Sequence, residues 1–485
     1  MVKASVAIRT DEPLGTISPN IYGHFAEHLG RCIDEGIWVG SESAIANSGG
    51  VRQDVTEALA AIRCPVIRWP GGCFADAYDW RDGVGPRERR PRRINVWWNK
   101  EEDNQFGTDE FVRFCRDVGA EPYICGNVGS GSPREMMQWV EYCNHEGDTT
   151  LARERAANGS PVPHRVRYWG IGNENWGCGG QFGPEQYAHE YRRFGSYVRR
   201  IDPTIELIAC GHSPEWNLGF FSNLGRVDLV DHHSLHHYYK CGPGTGFSEE
   251  EYYGLFPRAL ELEEAINRLS QLMSHFDRGR RIGIVVDEWG VWHPEADQGL
   301  WQPNTLRDAL AAAVVLDVFN RQAGVVTMGN IAQTVNVLQC LLQTDGAAMW
   351  RTPTYHVFDL CKRHMGNHPL RADVVCERHE FVLDGRREHV LPLSVSASHN
   401  AVAGRLVLSL TNLHLTQSME VTVSLHGSTA VSGTASTLTS ANADDVNSAA
   451  EPDRVCPAPV EAPSGEELTL QLAPKSTTVG EWELR

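Results

Sequence analysis

The fold is decided by residues 166–176, which read VRYWGIGNENW. An apolar run over 166–171 stops at the polar triplet Asn173-Glu174-Asn175, with aromatic residues on both sides. A short apolar run of this kind predicts a buried strand. Seven similar runs occupy residues 21–25, 66–69, 122–126, 205–210, 229–236, 282–286 and 325–331.

Helical patterns lie between these runs. Ser132 precedes one as an N-cap, Thr108 begins another that Gly119 ends, and a third covers 304–322. Strands that alternate with helices predict a parallel sheet. Eight such units over about 320 residues fit a (β/α)8 (TIM) barrel better than an open α/β sheet. A doubly wound dinucleotide fold is disfavoured because no GxGxxG motif opens the first unit.

The pattern changes after about residue 365, where apolar and polar residues alternate strictly, as in Met419 to Leu425. We therefore expect a C-terminal antiparallel β-sandwich of jelly-roll type. The alternating segment 2–8 is expected to complete it. The predicted domains are a catalytic barrel over 18–365 and a sandwich made of 1–17 and 366–485. A long loop is predicted for 439–464.

Composition narrows the possible partners. The 485 residues carry 44 Lys and Arg against 62 Asp and Glu, a net charge of −18. This balance disfavours nucleic acids and anionic membranes. The first twenty residues contain no apolar signal segment, and no apolar run is long enough to cross a bilayer. Thirteen scattered cysteines, with no CxxC pair, lead us to expect mostly reduced, buried thiols in a cytoplasmic protein.

Two glutamates stand where predicted strands end. Glu174 follows the fourth run, and Glu288 follows the seventh, in the segment 284–290 that reads IVVDEWG. In a TIM barrel the carboxyl ends of the strands carry the active site. Two carboxylates that face each other there are what retaining glycoside hydrolysis requires. Taken singly, either glutamate could equally be a solvated loop residue or an ion-pair partner.

Eight motifs, in order, identify a family resemblance. They are IYGHFAEH at 21–28, RWPGGCF at 68–74, WRDGVGP at 80–86, NQFGT at 104–108, GIGNENW at 170–176, SLHHY at 234–238, DEW at 287–289 and NIAQTVN at 330–336. Together they resemble the intracellular α-L-arabinofuranosidases of glycoside hydrolase family 51. The resemblance implies a retaining, exo-acting enzyme that releases terminal arabinofuranosyl residues from arabinan, arabinoxylan or their oligosaccharides. It also implies a homo-oligomer, a hexamer, and no cofactor.

The resemblance further implies roles for individual residues. Glu174 would be the general acid/base and Glu288 the nucleophile. The substrate-binding set would be Glu27, Cys73, Asn173, Tyr238 and Gln333. The supporting set would be Arg68, which keeps Glu288 ionised, His236 and Trp289. Because a thiol hydrogen-bonds weakly, a sugar contact from the Cys73 side chain stays open.

Other interpretations remain. An endo-glucanase or β-xylosidase could use the same scaffold, and a non-catalytic carbohydrate-binding protein could keep it. The segment 231–237, DHHSLHH, suggests a metal-dependent hydrolase. However, alternate strand residues face opposite sides, so its histidines cannot all reach one ion, and no metal site is expected. Tryptophans 97, 98, 176, 289, 292 and 301 line the pocket or pack in the core, and the basic run 87–93 is expected to be a solvated loop or subunit contact.

Overall fold

The structure is a computed structural model that describes residues 2–296 and 299–485. Eight parallel strands close into a barrel in the order β10-β11-β12-β13-β2-β5-β8-β9. The strands are β2 (Gly23–Phe25), β5 (Val66–Trp69), β8 (Glu121–Gly126), β9 (Tyr168–Ile171), β10 (Glu206–Ala209), β11 (His232–Tyr239), β12 (Gly283–Val291) and β13 (Val326–Ala332). The eight predicted runs therefore supply the eight barrel strands, and the predicted (β/α)8 fold is confirmed.

Helices cover the outside of the barrel. They are α1 (Gln53–Ala61), α2 (Thr108–Val118), α3 (Pro133–Asn144), α4 (Thr150–Ala157), α5 (Pro184–Ile201), α6 (Pro214–Leu224), α7 (Glu249–Phe276), α8 (Leu306–Arg321) and α9 (Pro353–Cys361). The helix signals in the sequence act as predicted. The Ser132 hydroxyl accepts from Glu135 N at 3.3 Å, and Gly119 ends α2 in the left-handed conformation with φ 87°.

The second sheet has nine strands in the order β23-β22-β25-β20-β19-β16-β1-β21-β24. They are β1 (Val2–Pro13), β16 (His368–Cys376), β19 (Leu393–Asn400), β20 (Arg405–Asn412), β21 (Met419–His426), β22 (Ala430–Leu438), β23 (Ala458–Val460), β24 (Glu467–Leu472) and β25 (Ser476–Leu484). Its pairs are antiparallel except that β1 runs parallel to β21. The edge strand β24 also contacts β20 and β25, so the sheet curls over its own core.

The N-terminal strand thus lies in the C-terminal sheet, as the alternation over 2–8 predicts. The domain boundaries at 17/18 and 365/366 stay a prediction. The other strands of the described residues form four separate two-stranded hairpins: β3 (Asn47–Ser48) with β4 (Val51–Arg52), β6 (Arg93–Asn95) with β7 (Lys100–Glu102), β14 (Leu342–Asp345) with β15 (Ala348–Arg351), and β17 (His379–Leu383) with β18 (Arg386–Val390).

Two further findings concern charge and membranes. The basic run 87–93 is paired with acids: Arg87 and Arg90 contact Glu110, Arg92 contacts Glu101, and Arg93 contacts Asp82. The expectation of a solvated loop or a subunit contact stays a prediction. Within the described ranges, none of the helices is at once long and apolar enough to traverse a bilayer.

Candidate active site

Glu174 lies at the carboxyl end of the barrel, three residues after β9 ends at Ile171. Its backbone φ is 41°, a left-handed conformation that is uncommon outside glycine. Its side chain is 21% exposed, and its Oε1 lies 2.9 Å from His236 Nδ1. The carboxyl group is therefore open enough to meet both a substrate oxygen and a water molecule.

Glu288 lies inside β12, which runs on to Val291, whereas the sequence pattern placed the end of that strand at residue 286. Arg68 Nη1 donates to Glu288 Oε1 at 2.8 Å, and the Tyr238 hydroxyl donates to Oε2 at 2.8 Å. Burial raises the pKa of Glu288, but the positive charges of His236 and Arg68 and these hydrogen bonds outweigh it, so the pKa lies below its ordinary value. The structure thus favours an ionised Glu288.

His236 lies between the two carboxyl groups. Its Nδ1 is 3.7 Å from Glu288 Oε2, and one oxygen of Glu174, this nitrogen and one oxygen of Glu288 all lie within 4.8 Å of one another. Burial lowers the pKa of His236, but the negative charges of Glu288 and Glu174 raise it by more than burial lowers it. The pKa of His236 therefore lies above its ordinary value. These three groups could offer three ligands to a metal ion, although the Arg68 guanidinium beside Glu288 opposes a cation there.

Arg68 is fully buried and joins three acceptors beneath the site. Besides Glu288, its Nη2 donates to Asn173 Oδ1 at 2.5 Å, and its Nε lies 3.3 Å from Asp287 Oδ1. The guanidinium also stacks over the Phe25 ring at 4.5 Å. Because the guanidinium is charged at any physiological pH, it fixes the positions of both Asn173 and Glu288.

Sequence reasoning did not assign functions to three side chains that hold this arrangement from inside the barrel. The Tyr123 hydroxyl donates to Asp287 Oδ2 at 2.8 Å, and Asn330 Nδ2 donates to Asp287 Oδ1 at 2.9 Å. Asp287 in turn contacts Arg68. The available signal was the occurrence of polar residues within apolar barrel strands, where an unpaired polar group is costly.

A second group of contacts surrounds Glu27. Its Oε1 accepts from Phe74 N at 3.0 Å and from Trp98 Nε1 at 3.3 Å, and its Oε2 accepts from Gln333 Nε2 at 3.1 Å. Burial, together with the negative charge of Glu288, raises the pKa of Glu27 to about 7. In the described part of the chain, Gln333 Oε1 is buried without a hydrogen-bond partner.

The Gly71-Gly72 pair lets one loop pass close beneath these carboxyl groups. A Cβ on Gly71 would lie 2.4 Å from Glu27 Cγ, and a Cβ on Gly72 would lie 2.8 Å from Glu288 Oε1. Gly71 also has φ 156°, which L side chains rarely adopt. The turn is thus part of the site, and side chains at either position would displace its carboxyl groups.

The expectation of a Cys73 thiol is wrong. Cys73 forms a disulfide with Cys178, with the two Cα atoms 5.5 Å apart, so its side chain has no S–H to offer a sugar. The two cysteines are 105 residues apart in sequence, and no spacing pattern could pair them. Of the other eleven, nine are buried free thiols, Cys376 is half-buried and Cys456 is exposed, in line with the wider expectation.

Trp289 does not line the site. It is fully buried and packs edge-on against Phe319 and flat against Phe358, on the helix side of β12. The register of β12 shifts at Asp287, so that Asp287 and Glu288 both face inward. Trp289, the next residue, faces outward. Trp98, by contrast, reaches Glu27, and Trp292 contacts the Tyr238 ring with centroids 5.2 Å apart. Trp176 stacks on His212 with centroids 3.9 Å apart.

The other histidines of β11 have separate partners. His232 Nε2 contacts Glu206 Oε2 at 2.7 Å, His233 Nε2 contacts Asn217 Oδ1 at 3.1 Å, and His237 Nε2 contacts Arg258 O at 2.9 Å. Only His236 of these four reaches the two candidate catalytic carboxyl groups. His232, His233 and His237 therefore each have a hydrogen-bond partner away from the two candidate catalytic carboxyl groups.

The fold and the site together define a class. Two carboxyl groups, on the fourth and seventh strands of a (β/α)8 barrel, face each other at its carboxyl end, with a buried arginine against one of them. This is the arrangement of a barrel glycoside hydrolase.

Comparison with known proteins identifies the family. Residues 58–252 match the family model described as α-L-arabinofuranosidase 1 domain, and residues 287–476 match the α-L-arabinofuranosidase C-terminal domain. An intracellular exo-α-L-arabinofuranosidase of Bacteroides ovatus is 40% identical over 472 residues, which cover 94% of this chain and 90% of that protein. The chain belongs to the α-L-arabinofuranosidases of glycoside hydrolase family 51.

Solved structures agree with this. The family 51 arabinofuranosidase of Xanthomonas axonopodis pv. citri superposes with a TM-score of 0.95 at 37% identity, covering 99% of this chain and 100% of that one. The arabinose complex of the α-L-arabinofuranosidase from Thermotoga maritima gives 0.91 at 33% identity, covering 99% of each chain. The family resemblance seen in the sequence is therefore confirmed.

Proposed function

We propose that the protein is an exo-acting α-L-arabinofuranosidase that removes terminal, non-reducing arabinofuranosyl residues with retention of configuration. The observation that carries the retaining mechanism is the approach of Glu174 and Glu288 oxygens to within 4.8 Å. Retaining glycosidases hold their carboxyl groups about 5–5.5 Å apart, whereas inverting enzymes leave about 6.5–9.5 Å for a water molecule. The short separation supports direct attack by one carboxylate.

Glu288 is the nucleophile in this proposal, because Arg68 and Tyr238 stabilise its ionised form. It attacks C1 of the arabinofuranosyl ring while Glu174 protonates the departing oxygen. A covalent arabinosyl-enzyme forms. Glu174, now a carboxylate, removes a proton from water, and the water attacks C1 to release arabinose and restore Glu288.

The remaining site residues bind the sugar. Asn173 is held by Arg68 through its Oδ1, and its Nδ2 donates to Cys178 Sγ at 3.9 Å. The second N–H of this amide can meet the ring 2-hydroxyl, a contact that strengthens in the transition state. Glu27 and Gln333 bind further hydroxyls, and in the described ranges Gln333 Oε1 has no hydrogen-bond partner within the protein. Tyr238 orients Glu288, and His236 holds Glu174.

The substrate class follows from the relatives. Their names give α-L-arabinofuranosidase activity, and we extend it to arabinan, arabinoxylan and their oligosaccharides. A bifunctional glucanase-xylanase shares the fold with a TM-score of 0.64 at 14% identity, which carries no substrate argument. We further propose a cytoplasmic homo-oligomer, a hexamer; the Bacteroides ovatus relative is named intracellular. Sedimentation of the purified chain measures its oligomeric state.

The test of the function is hydrolysis of an aryl α-L-arabinofuranoside followed by NMR. We expect the first-formed arabinose to have the α configuration. Glu288→Ala should reduce kcat by several orders of magnitude, because the covalent step is lost. Glu264→Ala, an exposed glutamate on α7, is the matched control and should keep full activity. A β product, or near-normal turnover by Glu288→Ala, would contradict the proposal.

A further inference from the structure

A buried carboxylate that no sugar contact requires lies beneath the turn that carries Glu174. Asp76 is 4% exposed and belongs to a 3-10 turn (Ala75–Ala77) that follows β5. Its Oδ2 accepts from Asn173 N at 2.7 Å. Its Oδ1 accepts from Val128 N at 2.7 Å and from Gly129 N at 2.6 Å. One carboxylate thus joins the loops that follow the second, third and fourth barrel strands.

The groups that face the Asp76 carboxyl are hydrogen-bond donors. Asn175 Nδ2 lies 3.4 Å from Asp76 Oδ1. In the described ranges the partners of the Asp76 carboxylate are N–H groups, and no lysine or arginine pairs with it. Burial raises the pKa of Asp76 to about 7, and the four N–H groups directed at its two oxygens oppose that rise because they stabilise the negative charge. Gly179 permits this packing, since a Cβ there would lie 2.6 Å from Asp76 Oδ2.

The turn above Asp76 needs support from outside. Glu174 has a left-handed backbone, and its carbonyl accepts from Gly177 N at 2.6 Å and Gly179 N at 3.2 Å. A non-glycine residue keeps such a conformation only when surrounding contacts fix it. The Cys73–Cys178 disulfide joins the loop after β5 to the loop after β9. The bond from Asn173 N to Asp76 fixes the residue directly before Glu174.

We propose that Asp76 is a positioning residue: its carboxylate holds the Asn173–Glu174 turn so that Glu174 meets the glycosidic oxygen. This inference rests on the proposed role of Glu174 as general acid/base. Asp76 acts through the backbone of the turn and does not touch the substrate. Its loss should therefore impair most the steps that need Glu174.

The experiment compares leaving groups. In Asp76→Asn an amide N–H replaces one acceptor and faces backbone N–H groups, so the turn must shift. For phenyl α-L-arabinofuranoside, which needs an acid, we expect kcat/KM to fall about 10²-fold, as when general-acid help is lost. For the 2,4-dinitrophenyl glycoside, kcat/KM should fall less than about 5-fold, because that leaving group needs little protonation. Azide, which needs no general base, should raise kcat on the dinitrophenyl substrate and form arabinosyl azide.

Asp79→Asn is the matched control. Asp79 lies in the same loop and is exposed, and in the described structure its carboxylate accepts only from Arg81 N. It should show neither the leaving-group dependence nor azide rescue. If Asp76→Asn does not fold, Asn175→Ser provides the second variant. It removes one donor to Asp76 and should give the same pattern with a smaller amplitude.

The outcomes separate this proposal from the proposed function. Equal losses on both glycosides, or no azide rescue, would show that Asp76 supports only the fold and would overturn the inference. Wild-type turnover with retention would leave the function intact in that case. If the wild-type protein hydrolysed neither arabinofuranoside, the proposed function itself would be contradicted.

Discussion

At the scale of single residues, the reactivity of Glu288 depends on three neighbours, of which Tyr238 is the most easily tested. Its hydroxyl donates to Glu288 Oε2 at 2.8 Å and lowers the pKa of that carboxyl together with His236 and Arg68. A hydrogen bond to a charged group contributes about 1.5–3 kcal/mol. We expect Tyr238→Phe to lower kcat/KM about 10- to 100-fold.

The same substitution should change the pH profile. Because the nucleophile must be ionised, the acidic limb of kcat/KM follows the pKa of Glu288. Loss of the hydrogen bond raises that pKa, so the limb moves to higher pH. Tyr239→Phe is the control, since the Tyr239 hydroxyl is buried without a hydrogen-bond partner in the described structure. An acidic limb that stays in place in Tyr238→Phe would contradict this view of the site.

The sequence located the candidate catalytic pair but not its immediate environment. Glu174 and Glu288 could be found because each follows or ends an apolar run, a local pattern. The Cys73–Cys178 disulfide, the Asp76 contacts and the Tyr123–Asp287 bond join residues from different strands, so no local pattern reveals them. For Trp289 the sequence left both the pocket and the core open, and the structure shows that it packs in the core.

At the scale of elements, the loop between β22 and β24, which the sequence predicts as irregular, forms hydrogen bonds with the first turn of α8 in the barrel. Asp445 O accepts from Leu306 N at 3.0 Å, and Ala443 O accepts from Arg307 N at 2.9 Å. These are two of the N–H groups that the first turn of α8 cannot satisfy within the helix. The sequence predicted the loop, but its partner is over a hundred residues away.

Asp445 holds this loop in shape and should be needed for stability. Its buried carboxylate accepts from Asn442 N at 2.9 Å, Ser440 Oγ at 2.5 Å and Arg454 Nη2 at 2.6 Å. Asp445→Ala removes the acceptor of Asn442 N and Ser440 Oγ, and we expect the free energy of unfolding to fall by about 1–3 kcal/mol. Urea unfolding measures it. Asp453→Ala, exposed in the same loop, should change it by less than about 0.5 kcal/mol. Equal effects in both variants would refute the role of Asp445.

At the scale of the whole molecule, the barrel and the curled sheet share a polar interface along α8. The Ser394 hydroxyl donates to Asp317 Oδ2 at 2.6 Å, and Asn320 Nδ2 donates to Ser396 Oγ at 2.9 Å. Asp317 is 1% exposed. The sequence pattern predicted a helix over residues 304–322 but no role for Asp317. Its burial follows from the sheet packing against α8.

This interface should make stability depend on pH. Burial raises the pKa of Asp317 from 3.8 to about 7. Between these values the folded state binds a proton that the unfolded state has lost, so stability falls as pH rises toward 7, by up to about 4 kcal/mol. Asp317→Asn keeps the neutral shape at every pH. Its melting temperature relative to wild type should therefore rise between pH 5 and pH 8 in calorimetry, while exposed Asp373→Asn should show no such change. A constant difference for Asp317→Asn would mean that Asp317 is ionised throughout, which would contradict this origin of the pH dependence.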